Sequence, residues 1–145
     1  MKILIADDDP TTRFLLETLL KRNGHEVETA VDGSEALGFL QAENAPRVAL
    51  LDWEMPGLDG PDVCRQLRAG GSTVYVILVT ARGKGHVVEG LKAGADDYIS
   101  KPVDEEELLA RMEVGERMIK LQDTLAARVK ELEEALATIK QWEFG

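Results

Sequence analysis

Three uninterrupted apolar runs, Ile3 to Ala6, Val48 to Leu51 and Val74 to Val79, constrain this chain more than any other feature. Each has the length of a strand, and none alternates with polar residues, as expected of strands covered on both faces of a sheet. Helical patterns lie between them. Pro10 suits the first position of a helix capped by Asp9. Leu15, Leu16, Leu19 and Leu20 are expected to form its buried face, and Gly24 ends it. Val27 to Ala30 reads as another strand, Ser34 to Ala42 and Asp62 to Leu67 as helices, and Met55-Pro56-Gly57 as a loop. Val87 to Ala93 is a further helix and Tyr98 to Ser100 a short last strand. From Asp104, which with Glu107 resembles a capping box, the pattern is helical almost to the end. Strands alternating with helices imply βαβ units and a parallel sheet. Right-handed crossovers leave only a few doubly wound forms. In such folds ligands bind beyond the carboxyl ends of the strands.

That rule singles out the residues that close the strands. The first strand ends in Asp7-Asp8, the third in Asp52 and the fourth in Thr80, and Lys101 follows the fifth. Three carboxylates, a hydroxyl and an ammonium should therefore share one edge of the sheet. Clustered carboxylates repel unless a cation joins them. Oxygen ligands with room for water favour Mg²⁺. A carboxylate and a phosphate bridged by such an ion make a phosphoryl-transfer device, with Lys101 as a point charge for phosphate oxygens and Thr80 as a hydroxyl partner. Each feature also has an ordinary structural reading. Asp7-Asp8-Asp9 can be a helix-capping turn, Asp59-Gly60 a turn, Thr80 a strand end, Tyr98 a half-buried sheet aromatic and Lys101-Pro102 a loop. The two histidines, His25 and His86, have no metal-ligand spacing.

Four segments carry a resemblance: Ile3 to Pro10, Leu51 to Gly60, Val79-Thr80-Ala81 and Gly94 to Pro102. They resemble, in order and at the expected strand ends, the receiver domain of response regulators, of which the chemotaxis regulator is the simplest member. The resemblance implies an α/β flavodoxin-like fold, a doubly wound five-stranded parallel sheet of order 2-1-3-4-5, here with an extended C-terminal helix. It implies that Asp52 accepts a phosphoryl group and that Asp7 and Asp8 hold Mg²⁺, with Mn²⁺ able to replace it. Asp52 itself and the backbone carbonyl of Glu54 would complete the metal site. Thr80 would be the switch hydroxyl, and Tyr98 the aromatic that turns inward once Thr80 engages the phosphoryl group. Lys101 would pair with that group, and its bond to Pro102 is expected to be cis. Ala81 is small, as the family pattern requires for access. Glu54 and Arg82 flank the site at positions that tune how long the phosphoryl group lasts. The implied donor is a sensor histidine kinase or phosphotransfer protein. The domain would assist its own phosphorylation and dephosphorylation without being an enzyme on external substrates. Two alternatives stand beside this. One is a degenerate receiver serving as a dimerising scaffold. The other is a phosphatase of the aspartyl-phosphate type, which needs an Asp where Glu54 stands.

The expected receiver spans 1–120 and a helical extension 121–145. Along the last helix Met118, Leu125, Leu132 and Ile139 recur every seven residues, with Val129 and Leu136 between them and polar Gln122 and Glu143 in the same row. This reads as a coiled-coil seam and implies a homodimer, the alternative being one amphipathic helix folded back on its own domain. Gly115 is a candidate joint. Such helices resemble linkers that join receivers to output domains, including diguanylate cyclases. Whether the chain is a fragment of a longer protein, and whether the residues from Trp142 to Gly145 are native, is open at this point. Gly83, Gly85 and Gly90 crowd the fourth helix and suit either a frayed helix or one soft enough to shift on phosphorylation. A net charge of -10 argues against direct binding of nucleic acid or an anionic membrane. The single cysteine, Cys64, excludes an internal disulfide and reads as a small core residue, and a cytoplasmic location is expected.

Overall fold

The computed structural model describes residues 1–144, without the side chains of Lys84 and Phe144; Gly145, the end of the expected extension, lies outside the described residues. The chain forms β1 (Lys2–Ala6), α1 (Pro10–Arg22), β2 (Glu26–Ala30), α2 (Gly33–Gln41), β3 (Val48–Asp52), α3 (Gly60–Ala69), β4 (Tyr75–Thr80), α4 (Val87–Ala93), β5 (Asp97–Ser100) and α5 (Glu105–Phe144). A 3₁₀ turn, Lys84–His86, leads into α4. The strands make one parallel sheet in the order β2-β1-β3-β4-β5. This is the flavodoxin-like arrangement the sequence implies. The chain divides into two compact units, Met1–Arg111 and a second that begins at Met112, earlier in α5 than the expected boundary after residue 120. No helix among the described residues is long and apolar enough to cross a membrane.

The apolar strands pack as their composition requires. Every residue of β3 and β4 is buried, which only a sheet covered on both faces allows. Asp9 caps α1, its carboxylate accepting from the Thr11 N–H and the Thr12 hydroxyl. The Asp104 carboxylate likewise accepts from the Glu107 N–H at 2.9 Å. Asp59, read from sequence as a turn, caps α3 through a reciprocal pair of bonds with Asp62. One expectation for α1 fails. Leu16 and Leu20 are buried, but Leu19 is half-buried and Leu15 is 62% exposed. At 3.6 residues per turn Leu16 and Leu20 share one stripe, and Leu15 lies about 100° off it.

Gly90 is not a soft spot but a point of close approach. A Cβ there would lie 2.7 Å from Leu78 Cδ1 and 2.9 Å from Trp53 Cζ3, so only glycine lets α4 seat against β4 and Trp53. Gly90→Ala is therefore expected to destabilise the domain by about 1–3 kcal/mol in urea unfolding, although alanine is the better helix former. An equal or higher midpoint would mean that α4 can lift without cost. Cys64 is buried in α3, and burial pushes its thiol up to about 12, so it packs as an apolar group. Gly115 does not interrupt α5, which runs through it.

Candidate functional site

The parallel register delivers the chemical residues to one edge because each stands where its strand ends. Asp52 is the last residue of β3 and Thr80 the last of β4, while Asp7 follows β1 and Lys101 follows β5. The Asp7 N–H donates to the Ala30 carbonyl and the Lys101 N–H to the Thr80 carbonyl, which extends the ladder into these junctions. Asp7 is buried, and its Oδ1 accepts from the Asp9 N–H at 2.9 Å. Arg13 of α1 donates from Nη1 to the Asp7 carbonyl at 2.7 Å. Asp8 is exposed at the mouth.

Lys101 Nζ lies 3.2 Å from Asp7 Oδ2 and 3.3 Å from Asp52 Oδ1. Partial burial alone would lower its pKa, but the facing charges of Asp52 and Asp7 outweigh burial and hold it above the usual lysine value. Asp52 is only 7% exposed. Burial first and the Asp7 charge second push its carboxyl up to about 6, with Lys101 opposing. One ammonium thus leaves the three carboxylates short of positive charge. Asp7, Asp8 and Asp52 each bring an oxygen to within 4.8 Å of the others. These are hard oxygen donors, beside an open cavity of about 220 Å³ that also meets Glu54, Thr80 and Lys101. The set suits Mg²⁺, which keeps some of its waters, and Mn²⁺ by the same ligand chemistry.

Thr80 is buried, and its hydroxyl oxygen accepts from the Arg82 N–H at 2.8 Å. Ala81 lies exposed at the rim, and the Lys101–Pro102 peptide is cis. Glu54 and Arg82 pair across the mouth, with Nε and Nη2 2.8 and 2.7 Å from Glu54 Oε1. Glu54 is 69% exposed in its side chain, so the pair contributes little to stability and can open to admit a ligand.

Three participants were not legible from the sequence. Trp53 lies within the Leu51 to Gly60 segment, where nothing in the sequence gives it a part. It is buried, with the Arg82 guanidinium 5.7 Å from its ring centroid. Arg13 carried no signal beyond its place in the first helix. Arg111 lies over the half-buried Tyr98 ring, and only its spacing from Glu107 suggested an ion pair. Between Tyr98, Thr80 and Leu91 the free volume is only about 10 Å³, roughly one water. An inward turn of the Tyr98 ring requires α4 or its leading turn to yield.

The model of the response regulator receiver domain matches residues 3–113. This chain belongs to that family. Response regulator MprA of Mycobacterium ulcerans (strain Agy99) is 48% identical over 128 residues, which is 88% of this chain and 55% of the relative. The receiver therefore spans about half the length of the curated relatives it matches. Among solved structures, the receiver domain of the Francisella response regulator 1452 superposes with a TM-score of 0.76 at 35% identity, covering 81% of this chain and 98% of that one. A probable two-component system response regulator/GGDEF domain protein is similar over 83% of this chain and 50% of its own, with a TM-score of 0.77 at 29% identity.

Proposed function

We propose that this receiver accepts a phosphoryl group on Asp52 from a sensor histidine kinase or a phosphotransfer protein. The observation that carries the reading is Lys101, an ammonium reaching Asp7 and Asp52 together at the edge where three carboxylates converge. A carboxylate oxygen of Asp52 forms the new bond to phosphorus as the donor's phosphorus–nitrogen bond breaks and its imidazole leaves. Such a transfer needs positioning and charge neutralisation more than covalent help. Lys101 supplies one positive charge to the phosphoryl oxygens. Asp7, Asp8, Asp52 and the Glu54 carbonyl would hold Mg²⁺ or Mn²⁺, which when bound neutralises the remaining charge on the transferring group. The Thr80 hydroxyl turns from the Arg82 N–H to donate to a phosphoryl oxygen, and Tyr98 follows toward it as α4 or its leading turn yields. Arg82 and Glu54 open to admit the group and then set its lifetime. No external substrate is turned over.

The receiver reading covers residues 1–120, and 121–145 is the extension through which the state of the site is passed on. Met118, Leu125, Val129, Leu132, Leu136 and Ile139 are between 43% and 66% exposed, a stripe at coiled-coil spacing. Its occupant in this reading is the same stripe of a second copy. In this reading the extension passes the state of the site to a partner or to an output domain, in keeping with relatives of which the matched region is only 55%, and the protein works in the cytoplasm. The acidic receiver itself contacts neither nucleic acid nor membrane.

Intact-mass measurement after incubation with acetyl phosphate and Mg²⁺ tests the central claim. One acid-labile phosphoryl group is expected on the unaltered chain, and none on Asp52→Ala or with chelator present. Equal labelling of Asp52→Ala would sink the assignment.

A further inference from the structure

The Tyr98 ring is covered by an anchored guanidinium. The Asp97 carboxylate accepts from the Tyr98 N–H at 2.8 Å and grips Arg111 Nη1 with both oxygens, at 3.0 and 3.1 Å. Arg111 Nε donates to Glu107 Oε1 at 3.1 Å. So fixed, the guanidinium lies 5.9 Å from the Tyr98 ring centroid, within the range of a cation–π contact. A long side chain on the surface normally samples many rotamers, and here two carboxylates hold Arg111 in the one that covers the ring. The guanidinium thus covers the ring while Thr80 still bonds the Arg82 N–H.

We propose that Arg111 is a positioning residue for Tyr98: it holds the ring in its resting place and so sets how readily the receiver switches. This rests on the reading of Tyr98 as the switch aromatic. It adds a restraint from the first turns of α5, so that phosphorylation at one end of the sheet must break a contact made by the output helix. Losing the contact is expected to raise the population of the displaced ring about two- to fivefold, the range an incompletely buried cation–π pair supports.

Tyr75 and Tyr98 are the only tyrosines, so protein grown on 3-fluorotyrosine gives two fluorine resonances. Tyr75 is buried at the start of β4. In the unaltered protein, acetyl phosphate with Mg²⁺ is expected to move the Tyr98 resonance and leave Tyr75 in place. In unphosphorylated Arg111→Gln the Tyr98 resonance is expected part-way along that path; Tyr75 feels the charges of Arg111 and Asp97 and shifts with either substitution, so the fold of each variant is checked by its urea midpoint. Asp97→Asn, which keeps the cation but loosens its grip, is expected to shift it less in the same direction. Asp97→Asn decides the matter if Arg111→Gln lowers the urea midpoint. If phosphorylation moves Tyr98 but neither variant does, Arg111 is only a surface ion pair and the proposal is overturned. If Asp52 is labelled and Tyr98 never moves, the switch reading falls and takes the proposal with it. Absence of label on Asp52 overturns the phosphoacceptor assignment instead.

Discussion

A chain carrying both Leu125→Asp and Leu132→Asp is expected to sediment as a monomer at tens of micromolar, where the unaltered chain is a dimer. The two leucines are 66% and 65% exposed in the single chain and lie one heptad apart. Paired in register, each contributes about 1.5–3 kcal/mol of burial, and the double substitution removes four such side chains per dimer. The loss, roughly 6–12 kcal/mol, exceeds a ten-thousandfold change in dissociation constant even before the introduced carboxylates repel. Opposing association is an ordering cost of about 4–15 kcal/mol, which is why two positions suffice to abolish it. Gln122 and Glu143 already weaken the seam at its ends. An unaltered chain that is monomeric at this concentration, and unchanged by the substitutions, would show that the stripe serves something other than a second copy.

Asp52→Asn is expected to stabilise the protein in chelator by about 3 kcal/mol at pH 8, roughly a 10 °C rise in melting temperature. Asp52 ionises near 3.8 in an ordinary setting and is pushed up to about 6 here. The folded state therefore keeps its proton in a window where the unfolded chain has lost it. Stability falls as pH rises from about 4 through about 6, and above that window the full penalty for an ionised, buried Asp52 is present. Asparagine carries no such penalty, so the gain is largest above pH 6.5 and vanishes toward pH 4. Mg²⁺ is expected to invert the comparison, because a ligand bound only by the folded state stabilises it and the carboxylate is part of its site. A melting temperature for Asp52→Asn no higher than that of the unaltered protein at pH 8 in chelator would mean that Lys101 already neutralises the pocket.

The sheet and its chemical edge were legible because both are local properties. A fully buried parallel strand needs an unbroken apolar run, and the residue that ends the run is placed by the strand itself. Val48 to Leu51 and then Asp52 show this directly. What could not be read depends on distant partners. Arg68 bonds the carbonyls of Gly94, Ser72 and Val74 and the Asp96 carboxylate, tying three junctions together, yet nothing around it in sequence marks it out. Leu15 has the same composition as Leu16 and differs only in rotation about the helix. Gly90 shows the ambiguity of glycine: flexibility and close approach leave the same letter, and only Leu78 and Trp53 decide between them.

Asp7, Asp8 and Asp9 are chemically identical neighbours with three separate fates. The first is buried and paired with Lys101, the second faces solvent beside the cavity, and the third is committed to the start of α1. The backbone assigns these fates: Asp7 still continues the ladder through its N–H to the Ala30 carbonyl, Asp8 lies in the bend that follows, and Asp9 caps the helix. The run is therefore not a reservoir of interchangeable charge. Deleting or duplicating one aspartate would leave the composition of the pocket almost untouched and still hand each role to the wrong side chain.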